Sequence, residues 1–114
     1  MQTFEIEPFL NQKFPAAFSK MPEQVRDIGG SYQLNIEGNG GGEWFINTQA
    51  TTIKPGNVSP RDFTLTIASE DFVKLCENPQ GNAMQLFFAG KAHVSGSGLM
   101  LTKLGKLIDM VNGF

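Results

Sequence analysis

Cysteine is nearly absent: Cys76 stands alone among 114 residues, which excludes an internal disulfide and any zinc site built on cysteines. With apolar Val73 and Leu75 beside it and no base nearby in sequence, Cys76 reads as a buried core thiol. Histidine is as scarce. His93 is the only one, and the sequence links no nucleophile or orienting carboxylate to it, so catalytic residues are none and the chain is expected not to be an enzyme. Charge of one sign is missing too. Nine basic side chains against eleven acidic ones, scattered along the chain, leave a net charge of −2. That is no footprint for nucleic acid. It is equally far from an acidic disordered composition. No apolar run approaches the roughly 18 residues of a membrane span, and no leader pattern or Ser-Lys-Leu-type ending is present, which makes a cytoplasmic setting the expectation.

Aromatics with a polar handle are also few. Ten Phe stand against one Tyr and one Trp. Protein-binding surfaces favour Tyr, Trp and Arg, whereas Phe brings area alone, so the bias points to a core or an apolar cavity. A chain of 114 residues has the usual size of one domain and is expected to bury roughly two-thirds of its unfolded surface.

The pattern begins as helix. Phe9, Leu10, Phe14, Ala17 and Phe18 recur at helical spacing over Pro8–Ser19, with a break expected near Phe14 because Pro15 cannot sit in a regular helix interior. A short turn, Glu23–Asp27, ends at Ile28-Gly29-Gly30. The period then becomes two: Tyr32, Leu34 and Ile36 share one face of a strand, and Trp44, Ile46 and Thr48 share one face of the next. Between them the run Gly38-Asn39-Gly40-Gly41-Gly42 reads as a hairpin loop, since no Lys-Ser/Thr follows and a strand opens instead of a helix. Thr51 and Ile53 suggest a third strand, Phe63, Leu65 and Ile67 a fourth, and Lys91–Gly96 a fifth with His93 outward. Helices are expected from Ser69 (as cap) to Cys76, over Ala83–Ala89 with Asn82 as cap, and from Ser97 onward. In the last, Met100, Leu101, Leu104, Leu107, Ile108 and Val111 form one apolar stripe opposite Thr102, Lys103, Lys106 and Asp109. Glu70 and Asp71 read as a charged first turn, and Lys103 and Lys106 as a wet helix face. The whole is α+β: a five-stranded sheet covered on one face by helices.

The stretch Met84-Gln85-Leu86-Phe87-Phe88, then Gly90-Lys91-Ala92-His93-Val94-Ser95-Gly96 and Leu99–Leu104, resembles the signature of the sterol carrier protein-2 (SCP-2) family. Phe63–Ile67 with Ser69–Phe72, the Gly41–Trp44 hairpin, Phe14-Pro15 and Ile28–Gly30 add to the likeness, which runs from about residue 8 to residue 111 and suits small stand-alone members. Two loops depart from it, at Asn82-Ala83 and at Pro60-Arg61-Asp62. The resemblance implies a mainly antiparallel sheet with a hydrophobic tunnel between sheet and helices. It further implies non-enzymatic binding and transfer of a fatty acid, acyl-CoA, sterol-like or phospholipid chain; beside it, no cofactor and no metal are expected, and Lys103 and Lys106 are too few charges for more than transient membrane contact.

Candidate walls are Phe72, Leu75, Met84, Phe87, Phe88, Met100, Leu101, Leu104, Leu107 and Ile108, although each serves equally well as ordinary core. An aliphatic chain of about 14 methylenes buried there gains about 10 kcal/mol gross. Arg26, one of two arginines, with Gln24 beside it, is the candidate headgroup partner; the competing reading is a solvated arginine. The alternative function is an accessory interaction or dimerisation domain using the Met/Phe-rich helical face, and a monomer or weak homodimer fits either.

Overall fold

The computed structural model describes residues 4–114; residues 1–3, the start of the stretch expected to hold no leader pattern, lie outside the described residues. Their successors form α1 (Ile6–Pro8), a π-helical turn (Phe9–Lys13) and α2 (Phe14–Lys20), followed by α3 (Pro22–Ile28). The break expected at Phe14 does not occur. The turn just before Pro15 widens instead, with the Phe14 amide donating to the Phe9 carbonyl, and Pro15 falls in the first turn of α2. A π turn changes the hydrogen-bond register at the point where proline removes a donor, so the chain stays helical.

The strands are β1 (Ser31–Glu37), β2 (Gly42–Asn47), β3 (Thr52–Pro55), β4 (Phe63–Ala68) and β5 (Ala92–Ser95), in the order β3-β2-β1-β4-β5. β1 and β4 run parallel, and every other neighbouring pair is antiparallel. Register puts the alternating apolar residues on one face: Leu34 lies opposite Trp44 on one side and Leu65 on the other, and Leu65 opposite Val94. That face carries the core, with Tyr32, Leu34, Ile46, Phe63, Leu65 and Ile67 buried. The helices α4 (Ser69–Glu77), α5 (Pro79–Phe88) and α6 (Gly98–Asn112) complete the fold, which is the α+β arrangement read from the pattern, with one parallel pair in a mostly antiparallel sheet.

The opposite face holds the polar residues of the alternation, and one of them is fully buried. Gln33 donates to the Gly56 carbonyl at 2.9 Å and to Asn35 Oδ1 at 3.0 Å, and its Oε1 accepts from the Val58 amide at 3.1 Å. The loop between β3 and β4 is thereby pinned across the sheet, and a buried polar side chain is fully satisfied.

Caps explain two shifted boundaries. Asn78, not Asn82, caps α5: its Oδ1 accepts from the Gly81 amide, and Pro79 takes the first helical position, where its missing N–H costs nothing. Asn82 lies inside the helix and donates to the Lys74 carbonyl at 2.7 Å, tying α5 to α4. Ser69 is the first residue of α4, with Ala68 in the cap position. Ser97 caps α6 by accepting from the Leu99 amide, and Gly90 ends the turn after α5 at φ +74°.

Candidate functional site

The apolar stripe of α6 and the inner side of α4 meet over the sheet. Phe72 and Leu75 of α4 join Leu101, Leu104, Leu107 and Ile108 of α6 in one core cluster with Leu34, Leu65 and Ile67. Six of the ten wall candidates therefore converge on one seam between the helical layer and the sheet. None of the six is more than 1 % exposed. Every buried side-chain nitrogen and oxygen among the described residues has a hydrogen-bond partner, so no orphan polar group faces the seam. Gly105 lets α5 lie close across α6, because a β-carbon there would stand 3.3 Å from the Pro79 carbonyl oxygen. Two side-chain bonds fix the outer ends: Gln80 to Asp109 at 2.7 Å, and Asn112 to the Cys76 carbonyl at 2.8 Å.

Met100 marks the rim. It is half-buried, and its methyl group sits against Gly30 so closely that a β-carbon there would approach Cε to 2.5 Å. Beside it Tyr32 donates its hydroxyl to the Gly29 carbonyl at 2.5 Å. Burial, with the Asp62 carboxylate adding, pushes the Tyr32 phenol from 10.0 up to about 12. The neutral form is thus favoured in the folded state. Its contribution to stability is complete below the unfolded value near 10 and is lost as pH rises through the folded value near 12. Thermal unfolding of Tyr32→Phe is expected to show a weaker fall between those pH values than the parent chain; identical profiles would remove Tyr32 as the cause. Cys76 is buried as well, and burial first, then Glu77, raises its thiol above the usual range, consistent with a core thiol.

The other candidates lie outside the seam. α5 turns Ala83 and Leu86 inward, which leaves Met84, Phe87 and Phe88 on its outer side, 38 %, 37 % and 77 % exposed. Both sides of this helix carry apolar residues, and the side with the smaller Ala83 and Leu86 is the one that packs. Arg26 and Gln24 are exposed on α3, where the Arg26 Nε donates to the Gln49 carbonyl at 3.4 Å. His93 is exposed on β5, opposite Thr66.

One feature left no trace in the local pattern. A cleft of about 690 Å³ opens between α1 and the start of α4, beside the β1–β2 loop. Ile6 and Val73 form an apolar lining continuous with the core, while Glu5, Glu7 and Glu70 stand around it. Its walls come from three distant segments, which no spacing rule brings together.

A family model described as the SCP-2 sterol transfer family matches residues 10–109. The chain belongs to that family. Hydroxysteroid dehydrogenase-like protein 2 of Rattus norvegicus is 32 % identical over 93 residues, which are 79 % of this chain and 18 % of that protein. This SCP-2 chain thus spans about a fifth of that curated relative. Among solved structures, sterol carrier protein 2 of Yarrowia lipolytica in its apo form superimposes with a TM-score of 0.71 at 23 % identity, covering 96 % of this chain and 88 % of that one. Sterol carrier protein-2 of Aedes aegypti, in complex with the C16 fatty acid palmitate, gives 0.72 at 14 % identity, covering 96 % and 98 %. At these identities both structures speak for the SCP-2 fold.

Proposed function

We propose that the chain is a non-enzymatic lipid carrier that holds the apolar chain of a fatty acid, acyl-CoA, sterol-like lipid or phospholipid between its sheet and its helices. The observation that carries the reading is the seam itself: Phe72 and Leu75 of α4 face Leu101, Leu104, Leu107 and Ile108 of α6 in wholly apolar surroundings. The palmitate complex of the Aedes aegypti protein, which shares this fold, supports it. The seam is closed here, so a ligand enters as α6 lifts from the sheet, with Met100 at the edge that parts. Methylene burial of roughly 0.8 kcal/mol per group drives the exchange, offset by repacking and by the lost freedom of the ligand. No polar partner is needed inside, and the headgroup stays at the rim in water. The 114-residue chain acts as one unit in the cytoplasm, either alone or as the lipid-presenting part of a larger enzyme of the kind its dehydrogenase-like relative represents.

The test is native mass spectrometry of delipidated protein with added palmitate, together with solvent extraction of whatever co-purifies. One palmitate per chain is the expected result. A folded chain that takes up no fatty acid, sterol or phospholipid would end the proposal.

A further inference from the structure

Helix α5 is unusual for a surface helix. Its sequence from Pro79 to Phe88 has no charged side chain, yet Met84, Phe87 and Phe88 point outward. The spacing of these three puts them on one face, and the Phe87 and Phe88 rings meet edge to face at 5.6 Å. Phe88 is 77 % exposed, an apolar ring that the fold leaves in water. Single exposed apolar residues are ordinary, but three on one uncharged helical face mark a contact surface.

Charge around the helix indicates what it meets. On the α4 side, Lys74 and Lys91 line a notch of about 230 Å³ together with Asn82 and Gln85, and no carboxylate lines it. Asp71 lies 4.0 Å from the Lys74 ammonium, outside that lining. On the other side α6 carries Lys103 and Lys106; the two carboxylates of this region are Asp109, which accepts a hydrogen bond from Gln80 and keeps its charge, and Glu77, at the end of α4. The segment after Asp71 holds four lysines and two carboxylates, whereas the part through Asp71 holds five basic and nine acidic residues. The positive part of the molecule is the part that bears the exposed phenylalanines. Apolar side chains framed by lysines suit an interface of acyl chains beneath anionic headgroups, with the rings at headgroup depth and the ammonium groups on phosphate or carboxylate. Lysine stems also extend along such a boundary without burying their charge.

We infer that α5 is the bilayer-docking element of this protein: Met84, Phe87 and Phe88 dip into an anionic membrane surface while Lys74 and Lys91 engage its headgroups. This extends the lipid-carrier reading and rests on it for its purpose, placing the seam under α6 next to the membrane from which a lipid is taken.

The experiment is flotation of the full chain with phosphatidylcholine vesicles, with and without phosphatidylserine, at low and high salt. The intact chain is expected to float with the serine lipid and to be released by salt. Phe88→Ser is expected to weaken association about tenfold, as is Lys74→Gln with Lys91→Gln. Both variants should keep the parent melting temperature and palmitate uptake. Equal flotation of parent and variants overturns the inference. So does a parent that ignores vesicles but forms a dimer that Phe88→Ser dissociates, which would assign the face to a second copy. Vesicle docking through α5 without palmitate uptake would uphold this inference and defeat the carrier reading; uptake without docking would do the reverse.

Discussion

Leu104→Trp is expected to weaken palmitate binding by about a hundredfold while the protein still folds. Leu104 is fully buried at the middle of the α6 stripe, flanked by Leu101, Leu107 and Ile108. An indole there overfills the seam, and overpacking of a core costs about 1–3 kcal/mol, within what a domain of this size survives. Binding suffers more than stability because the added volume occupies the space that α6 must open for an acyl chain. Losing the room for about four methylenes removes about 3 kcal/mol of transfer energy, and a hundredfold loss corresponds to about that amount. Leu104→Met changes shape with little change in volume and should leave both quantities close to those of the parent chain. The check is isothermal titration with palmitate, paired with thermal unfolding of the same samples. A folded Trp variant that binds palmitate as the parent does would rule out the seam under α6 as the binding place.

The seam was legible because both of its sides obey simple periods. Leu34 and Ile36, Leu65 and Ile67 alternate along their strands, and the α6 residues recur at helical spacing, so sequence alone brought their faces together. Phe87 and Phe88 were harder. They look like core by composition, yet Ala83 and Leu86 pack inward instead, in a helix that starts at Pro79, three residues before Asn82. Capping by Asn78 decides that start through a single side-chain bond to Gly81, a local competition between two asparagines that periodicity does not weigh. Gln33 failed to announce its burial for a related reason. Its position on the polar face is correct, but the loop from Gly56 to Val58 folds back over it, and loop paths leave no period in the sequence. The acid-framed cleft is less legible still, being an encounter of α1 with α4 and a hairpin tip. Arg26 stands exposed because α3 turns Val25 inward, and a single buried position in a helix of seven residues gives little warning of which neighbours face water.

Phe14→Ala is expected to destabilise the chain by about 4 kcal/mol, lowering its melting temperature by roughly 20 °C. Phe14 has no exposed surface and occupies the centre of an aromatic run in the N-terminal helical segment. Its ring lies 5.2 Å from that of Phe9, edge-on, and 5.5 Å from that of Phe18; Phe4 continues the run at 5.0 Å from Phe9. Among the described residues, one side-chain hydrogen bond fastens the segment to the sheet, from Trp44 Nε1 of β2 to Asn11 Oδ1 at 2.8 Å. Its apolar residues Phe9, Leu10, Phe14, Ala17 and Phe18 join the core cluster. Removing the central ring leaves a cavity that the π turn and Pro15 prevent the helix from closing, since neither can slide by a residue without losing its register. Phe14→Leu retains most of the apolar volume and should cost less than half as much. Denaturant unfolding measures both. A loss below about 1 kcal/mol for the alanine variant would mean that the N-terminal segment is not part of the cooperative core, and that α4–α6 with the sheet form the folding unit by themselves.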